Sequence, residues 1–428
     1  MSDLKVLLIS HNHPEVRAGG AEQYAAELYD AMRASSKFEP ILVARAGPPV
    51  SQTSRYHEGT LFTMLNEDPN QYLVYTDVAD YDWLYGRSPR KATLTRFFQE
   101  FLTAHQPDVV HFQHTLFLGY DAIRVARNAL PDVPIVYTLH EYLPICHNNG
   151  QMLRTMDGSL CAEASPRRCH ECYPNVTPQT FFMRRKFIES HLSLVDRFIA
   201  PSITLLERYL EWGLPEKKIV HEPYGRPPVN WDEGALDERA RNRLGFFGQL
   251  TPYKGIEILL EAMRLLGPDF DGHLWIHGAN LDLQPHDYRD RVSALLDETR
   301  LTVTYVGAYA ADEVGERMAT VDWIVVPSLW WENSPLVIEE AFLHKRPVIC
   351  SNVGGMAEKV SDGVDGFHFR RGDAHHLAEV IERATGTPGI WEKLRSQAPA
   401  VHDMDTHLGV LEQIYEDALA ARTRAVPR

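Results

Sequence analysis

The chain has 428 residues, 44% hydrophobic, 10% aromatic and 24% charged, enough apolar material for two or three cored domains and too much for a disordered polymer. With 43 Lys and Arg against 58 Asp and Glu the net charge is −15, a balance that disfavours nucleic acid as a partner. No run of about 18 residues is free of charge, and MSDLKVLLIS enters an apolar strand without a basic leader, so the expectation is a cytoplasmic protein, at most peripheral to the inner face of a membrane.

Apolar runs of strand length alternate with amphipathic segments of helix length. Strands are predicted at Leu4–Ser10, Glu39–Ala44, Val109–Phe112, Pro134–Leu139, Arg197–Ala200 and Lys218–His221, with helices at Ala21–Ala34, Asp121–Ala129, Phe181–Leu194 and Thr204–Trp212. Residues 223–235, PYGRPPVNWDEGA, read as a linker because proline, glycine and charge crowd there. The rhythm restarts with strands at Leu244–Gly248, His273–His277, Val303–Val306, Trp323–Val326, Pro347–Cys350 and Phe367–Phe369. Helices at Gly255–Leu266, Arg289–Thr299, Asp312–Ala319 and Leu336–Leu343 separate them. The expected class is α/β, with doubly wound domains at residues 1–222 and 223–405 and a C-terminal helix, 406–428, returning to the first. Ligands in such sheets bind beyond the carboxyl ends of the strands, which points to an interdomain cleft.

Several strand-to-helix turns carry chemistry. In the first loop, SHNHPEVRAGGAEQ, Gly19 and Gly20 precede a helix without forming the GxGxxG of a dinucleotide fold; His11 and His13 lie there too. The strand end DVVHFQH offers His111 and His114, and the next strand ends at His140 and Glu141, positions expected to line a cleft. Between Leu143 and Pro178 runs Cys-x14-Cys-x7-Cys-x2-Cys: Cys146, Cys161, Cys169 and Cys172. Four thiols with a Cys-x-x-Cys pair suit a structural zinc ion, with His147 or His170 able to replace one ligand; disulfides, free thiols and an iron–sulfur cluster stay open. Cys350 ends a strand and reads as a core thiol. Met183–Lys186 holds three consecutive basic residues after Phe181 and Phe182, which reads as a simple basic helix face, with contact to an anionic membrane holding a lipid-linked acceptor as the alternative.

In the second half, GQLTPYKG brings Lys254 to a helix start, and SNVGG repeats the turn with Gly354 and Gly355. The richest stretch is VVPSLWWENSPLVIEEA, residues 325–341. Ser334 is the expected N-cap and Pro335 the first helical residue, so free amides and a positive dipole end form a phosphate seat. Glu332 before the helix and Glu340 two turns in suit sugar hydroxyls at either end of a phosphate. Glu339, about 100° around the helix, reads as solvated. Asp403-Met404-Asp405 reads as a helix start rather than a metal site.

The order GGAE, GQLTPYKG, HGAN, VGAY, PSLWWENSPLVIEEA and SNVGG resembles the retaining glycosyltransferase family four, with the GT-B fold, over nearly the whole chain. The resemblance implies a nucleotide-diphosphate sugar donor, UDP- or GDP-linked, and a glycan, lipid-linked or small-molecule acceptor. It implies that Glu340 binds the ribose, Glu332 the donor sugar, Lys254 the diphosphate, and the amides near Asn333, Ser334, Pro335, Leu336 and Val337 the sugar and diphosphate. Gly19, Gly20, Gln249 and Gly278 complete the implied donor set, and Gln249 stands where the family usually has a cation, so Lys254 is expected to carry more of that load, or Arg17 or Arg226 to share it. His114 is the implied histidine near the donor sugar, with Gln113 as the alternative; with Glu332 and Lys254 it forms the implied catalytic set. His111, His140 and Glu141 are placed on the acceptor side. No cofactor is implied for the chemistry. Two readings from other classes stay open: a nucleotide-sugar epimerase of the same fold, and a non-catalytic sugar-nucleotide-binding scaffold.

Overall fold

The computed structural model describes residues 3–17, 19–47, 62–65, 67–76, 81–87, 91–229 and 239–425. Contacts divide the chain into two units, Met1–Pro227 with His402–Arg428, and Pro228–Val401. Residues 223–227, from the expected linker, and residues 402–405 therefore belong with the first unit.

The first unit holds β1 (Leu4–Ser10), β2 (Phe38–Ala46), β3 (Phe62–Leu65), β4 (Asp68–Tyr75), β5 (Val109–Phe112), β6 (Ile135–Thr138), β7 (Arg197–Ala200) and β8 (Ile219–His221). They form one sheet in the order β3-β4-β2-β1-β5-β6-β7-β8, parallel except for the β3/β4 pair. Val6, Leu7, Leu8 and Ile9 are fully buried, as continuous apolar runs must be when helices cover both faces. Residues 45–108 gave no predicted element, yet they supply β3, β4 and the helix Lys91–His105. β3 is an antiparallel edge strand with two exposed residues, and edge strands lack the apolar run by which central strands are recognised.

The second unit holds β9 (Arg243–Phe247), β10 (His273–His277), β11 (Val303–Gly307), β12 (Trp323–Val326), β13 (Val348–Ser351) and β14 (Gly366–Phe369), in the order β11-β10-β9-β12-β13-β14 and wholly parallel. Leu244, Phe246, Leu259, Leu260, Trp323 and Phe367 share its core. Each sheet has one place where the strand order reverses direction, between β1 and β5 in the first unit and between β9 and β12 in the second. The loops leaving those strands diverge and open a crevice, the position that ligands of doubly wound sheets occupy.

The C-terminal helix Met404–Ala425 packs within the first unit. Asp403 caps it, accepting from the Thr406 amide at 2.8 Å and the Thr406 hydroxyl at 2.7 Å. The Arg226 amide donates to the His402 carbonyl at 2.9 Å and the Met404 amide to the Arg226 carbonyl at 3.0 Å. The first of the expected linker residues are thus fixed against this helix. Among the described residues no helix is long and apolar enough to cross a membrane.

Candidate functional site

In the second unit the chemistry gathers where β9 and β12 part. Lys254 ends the loop after β9, and Ser328 and Glu332 lie in the loop after β12. Lys254 Nζ stands 2.6 Å from Glu332 Oε1, which also accepts from the Ser328 hydroxyl at 2.8 Å. Glu332 is buried, with φ of 36° in the left-handed region, a conformation that costs a non-glycine residue about 1–2 kcal/mol. Gly354 and Gly355 hold that conformation: the Gly355 amide donates to the carbonyls of Trp331 at 3.1 Å and Glu332 at 3.0 Å. A Cβ on Gly354 would collide with the Trp331 carbonyl, and φ at Gly354 is 59°. The close approach that this glycine pair permits is therefore made to the Glu332 loop.

The helix after this loop runs Leu336–Leu343, with Pro335 as N-cap and no side-chain cap. This shifts the expected start by one residue. Ser334 caps nothing: its hydroxyl is buried and has no hydrogen-bond partner. An uncapped helix start, a buried hydroxyl without a partner and the Lys254 ammonium, paired with Glu332, thus fall within these two strand-end loops. Asn333 is buried beside Ser334, and Val337 lies half-buried in the first turn. Glu340 is half-buried and acts on Tyr309, whose hydroxyl is raised above its ordinary pKa by burial first and by Glu340 second. Glu339 is not solvated; it is buried and paired with Lys359.

Gln249 is half-buried in the loop after β9. Gly278 is fixed between strands, its amide donating to Gly307 at 2.8 Å and its carbonyl accepting from the Tyr305 hydroxyl at 3.2 Å. Sequence reasoning passed over Ser328, four residues before Glu332 at a strand end, and also Arg317. The Arg317 guanidinium lies 3.1 Å from His277 Nδ1. Burial, then that guanidinium, lowers His277 to about 4. Of the two cations expected to compensate for Gln249, Arg17 is exposed in the first unit and Arg226 is buried there, 2.7 Å from Glu27. Arg226 serves the packing of its own unit.

The first unit places imidazoles and carboxylates where β1 and β5 part. His11 Nε2 lies 3.0 Å from Glu22 Oε1, His114 Nε2 lies 3.4 Å from Glu141 Oε1, and the two rings are 4.2 Å apart. His114 Nδ1 accepts the Leu116 amide at 3.0 Å, which sets its neutral tautomer with the proton on Nε2. Burial and then His11 hold His114 below its ordinary pKa against the pull of Glu141. Glu22 sits at about 2, because His11 and Asn12 outweigh the effect of burial.

Gly19 and Gly20 lead into the helix Gly20–Ala34, which has no side-chain cap across its N-cap Gly19. The Glu22 carboxylate folds back over Gly19, so a Cβ there would meet Glu22 Oε2 at 2.5 Å. This helix start already faces an anion, a different state from that expected of a phosphate contact.

His111 differs from its expected acceptor-side role. It is fully buried, with Nδ1 2.7 Å from the Tyr415 hydroxyl and Nε2 2.8 Å from Thr138 Oγ1. Both ring nitrogens are spent on tying the C-terminal helix to the sheet. Burial and then His407 lower its pKa to about 3. His140 bridges Tyr224 at 2.6 Å and Gln113 at 3.0 Å, and burial, then the neighbouring histidines, place its pKa well below the ordinary value. Glu141 also accepts from the Leu143 amide, and its carbonyl accepts from Tyr209 at 2.7 Å.

The basic run on the helix Pro178–Leu192 is not one face. Arg184 is buried and donates to Pro144 at 3.0 Å, Leu143 at 2.6 Å and Leu84 at 2.7 Å. The four clustered cysteines are all free and line one cavity. Burial pushes the Cys146 thiol up to about 12 and the Cys169 thiol to about 11, so without a metal neither is a nucleophile at neutral pH.

Residues 18–225 match the family model described as Glycosyltransferase Family 4, and residues 241–386 the model described as Glycosyl transferases group 1. A glycogen synthase of Mycobacterium tuberculosis is 23% identical over 99% of this chain and 97% of its own length. A GDP-mannose-dependent alpha-mannosyltransferase of the same species is 26% identical over 64% of this chain and 63% of its own. Among solved structures, Anabaena HepE in complex with UDP superposes with a TM-score of 0.66 at 18% identity, covering 97% of this chain and 100% of that one. Sucrose-phosphate synthase of Thermosynechococcus elongatus gives 0.69 at 19% identity, covering 98% and 100%. Two parallel doubly wound sheets, one family model on each unit, and relatives along the full length establish that the chain belongs to the GT-B glycosyltransferases of the family four and group one type.

Proposed function

We propose that the enzyme transfers a hexose from a UDP- or GDP-linked sugar to a hydroxyl of a glycan, lipid-linked glycan or small molecule, with retention, in polysaccharide or glycoconjugate synthesis. The observation that carries this reading is the Lys254–Glu332 pair in front of the uncapped helix at Leu336. The diphosphate gains charge as it leaves, and an ammonium group plus a helix N-terminus stabilise that charge without a metal ion. Glu332 takes a hydroxyl of the transferred sugar and Glu340 the ribose. The acceptor oxygen forms its bond to the anomeric carbon on the face from which the diphosphate departs, and a diphosphate oxygen receives the acceptor proton. The Asp-x-Asp triplet at Asp403 is spent on capping a helix. Two further triplets, at residues 80–82 and 269–271, lie outside the loops after β9 and β12, and Asp82 is bound to Arg87 at 2.9 Å.

The test is a panel of UDP-, GDP- and ADP-sugars, read first by thermal shift and then by nucleoside diphosphate release with hydroxyl acceptors. The expected result is acceptor-dependent release, with retention in the product. Glu340→Ala should raise the donor KM by about 10–100-fold, as loss of a charged hydrogen bond of about 1.5–3 kcal/mol requires. Unchanged donor binding in Glu340→Ala sinks the ribose assignment. An isomerised donor formed without acceptor establishes the epimerase instead.

A further inference from the structure

Outside the transfer machinery, the segment after Glu141 brings four thiols from three separate stretches to one small cavity. Cys146 comes from the loop after β6, Cys161 from the turn closed by the Leu153–Leu160 bridge, and Cys169 and Cys172 from the helix Pro166–Cys172. That helix buries none of its own residues. Met152 and Leu153 are buried apolar neighbours lining the cavity, which is little apolar material to fix some thirty residues. Short segments with so small a core are held by cross-links or metals. We propose that Cys146, Cys161, Cys169 and Cys172 bind one zinc ion as four thiolates, a structural clasp on the segment leading away from Glu141.

The surroundings suit that ion. Zinc with four thiolates carries two net negative charges. Arg168 lines the cavity, and the guanidinium groups of Arg154 and Arg184 act on the same thiols. His170 Nδ1 lies 2.9 Å from the Val176 carbonyl and His147 packs against Tyr173 and Phe181; the Cys161 thiol donates to the Glu163 carbonyl at 3.3 Å, a bond that zinc replaces, and the ligand set is the four thiols that share one cavity. A closed set of four protein ligands leaves no open position, which makes the site structural rather than catalytic.

A rival cluster exists. Glu222, His402 and His407 bring their ligand atoms within 4.8 Å of one another, closer than the thiols stand. Their hydrogen bonds account for them: Glu222 Oε1 lies 2.8 Å from His402 Nε2 and 2.7 Å from His407 Nδ1, and His407 Nε2 lies 2.7 Å from the Tyr24 hydroxyl. The four sulfurs do not all stand that close, so zinc capture at the cysteines draws them together.

The experiment measures zinc by elemental analysis in the full chain purified without chelator. About one zinc per chain is expected, lost in Cys169→Ser and Cys161→Ser and kept in Cys350→Ser and His402→Ala. If a cysteine variant fails to fold, the native protein is stripped by chelator and reloaded with cobalt(II), which should give thiolate charge-transfer bands and restore the thermal midpoint. Metal-free protein with reactive thiols, disulfides found by mass spectrometry, a brown iron chromophore, or zinc retained in both cysteine variants each overturns the proposal.

Discussion

The crevices at β1/β5 and β9/β12 are built alike and filled differently. Both lie at the reversal of a parallel sheet, and both are approached by a helix whose N-terminus has no side-chain cap. At β1/β5 the helix start already faces the carboxylate of Glu22, and two imidazole–carboxylate contacts leave only His11 Nδ1 of their ring nitrogens without a partner. At β9/β12 the loops hold a buried Ser334 hydroxyl without a partner and the Lys254 ammonium paired with the Glu332 carboxylate. Topology fixes where a doubly wound domain can bind, and the side chains decide which charge it accepts. The second unit gathers an ion pair and a hydroxyl without a partner at its helix start, whereas the first gathers imidazoles and carboxylates.

That contrast can be broken experimentally. The largest effect should come from Lys254→Ala, which removes a cation aimed at the developing diphosphate charge. A loss of about 10²–10³-fold in kcat is expected, measured as nucleoside diphosphate release at saturating donor. A loss below tenfold would move the phosphate load elsewhere and erase the distinction between the crevices.

The next effect concerns stability and belongs to the first unit. His111 is held neutral at about 3, below its unfolded value near 6.5. Its contribution is therefore fully present above pH 6.5 and declines as pH falls toward 3, by about 1.4 kcal/mol per pH unit. Glu22, at about 2, adds a second decline only below its unfolded value near 4.5. Urea unfolding followed from pH 7.5 to 5 should show this decline together with those of the buried His114, His140 and His277, and His111→Gln should make the slope shallower by about 1.4 kcal/mol per pH unit while lowering stability at pH 7. An unchanged slope in that variant would show that His111 does not titrate in the way its burial requires.

The smallest effect sharpens the comparison most. Ser334→Ala removes a hydroxyl that has no partner in the unligated protein. Stability should hold within about 0.5 kcal/mol, while the donor KM rises about 3–10-fold, the worth of one neutral hydrogen bond. Destabilisation without a KM change would mean that the hydroxyl serves the fold.

Much of this was legible in the sequence because parallel strands buried on both faces leave continuous apolar runs. Val109–Phe112, Arg197–Ala200, His273–His277 and Trp323–Val326 coincide with the predicted strands. Glu332, Lys254 and the glycine pair were legible too, since a strand end followed by glycine and a helix start is a local pattern. The edge strand β3 and its neighbour β4 were not, because both are only partly buried and leave a weak apolar signal. Burial of a single polar residue was equally hidden: Arg184 within a basic run, Glu339 beside Glu340, and His111 three residues before His114 all depend on partners far along the chain.

Two doubly wound cores, the glycine- and lysine-bearing turns of the second and the four-thiol segment of the first are each written in local spacing. Only the tertiary structure decided that Ser334 is left without a partner, that Glu22 covers its own helix start, that Gly354 and Gly355 brace the Glu332 loop, and that His111 and Arg226 serve the packing of the C-terminal helix. Those outcomes depend on which distant groups burial brings within hydrogen-bond reach, and burial is a property of the whole fold.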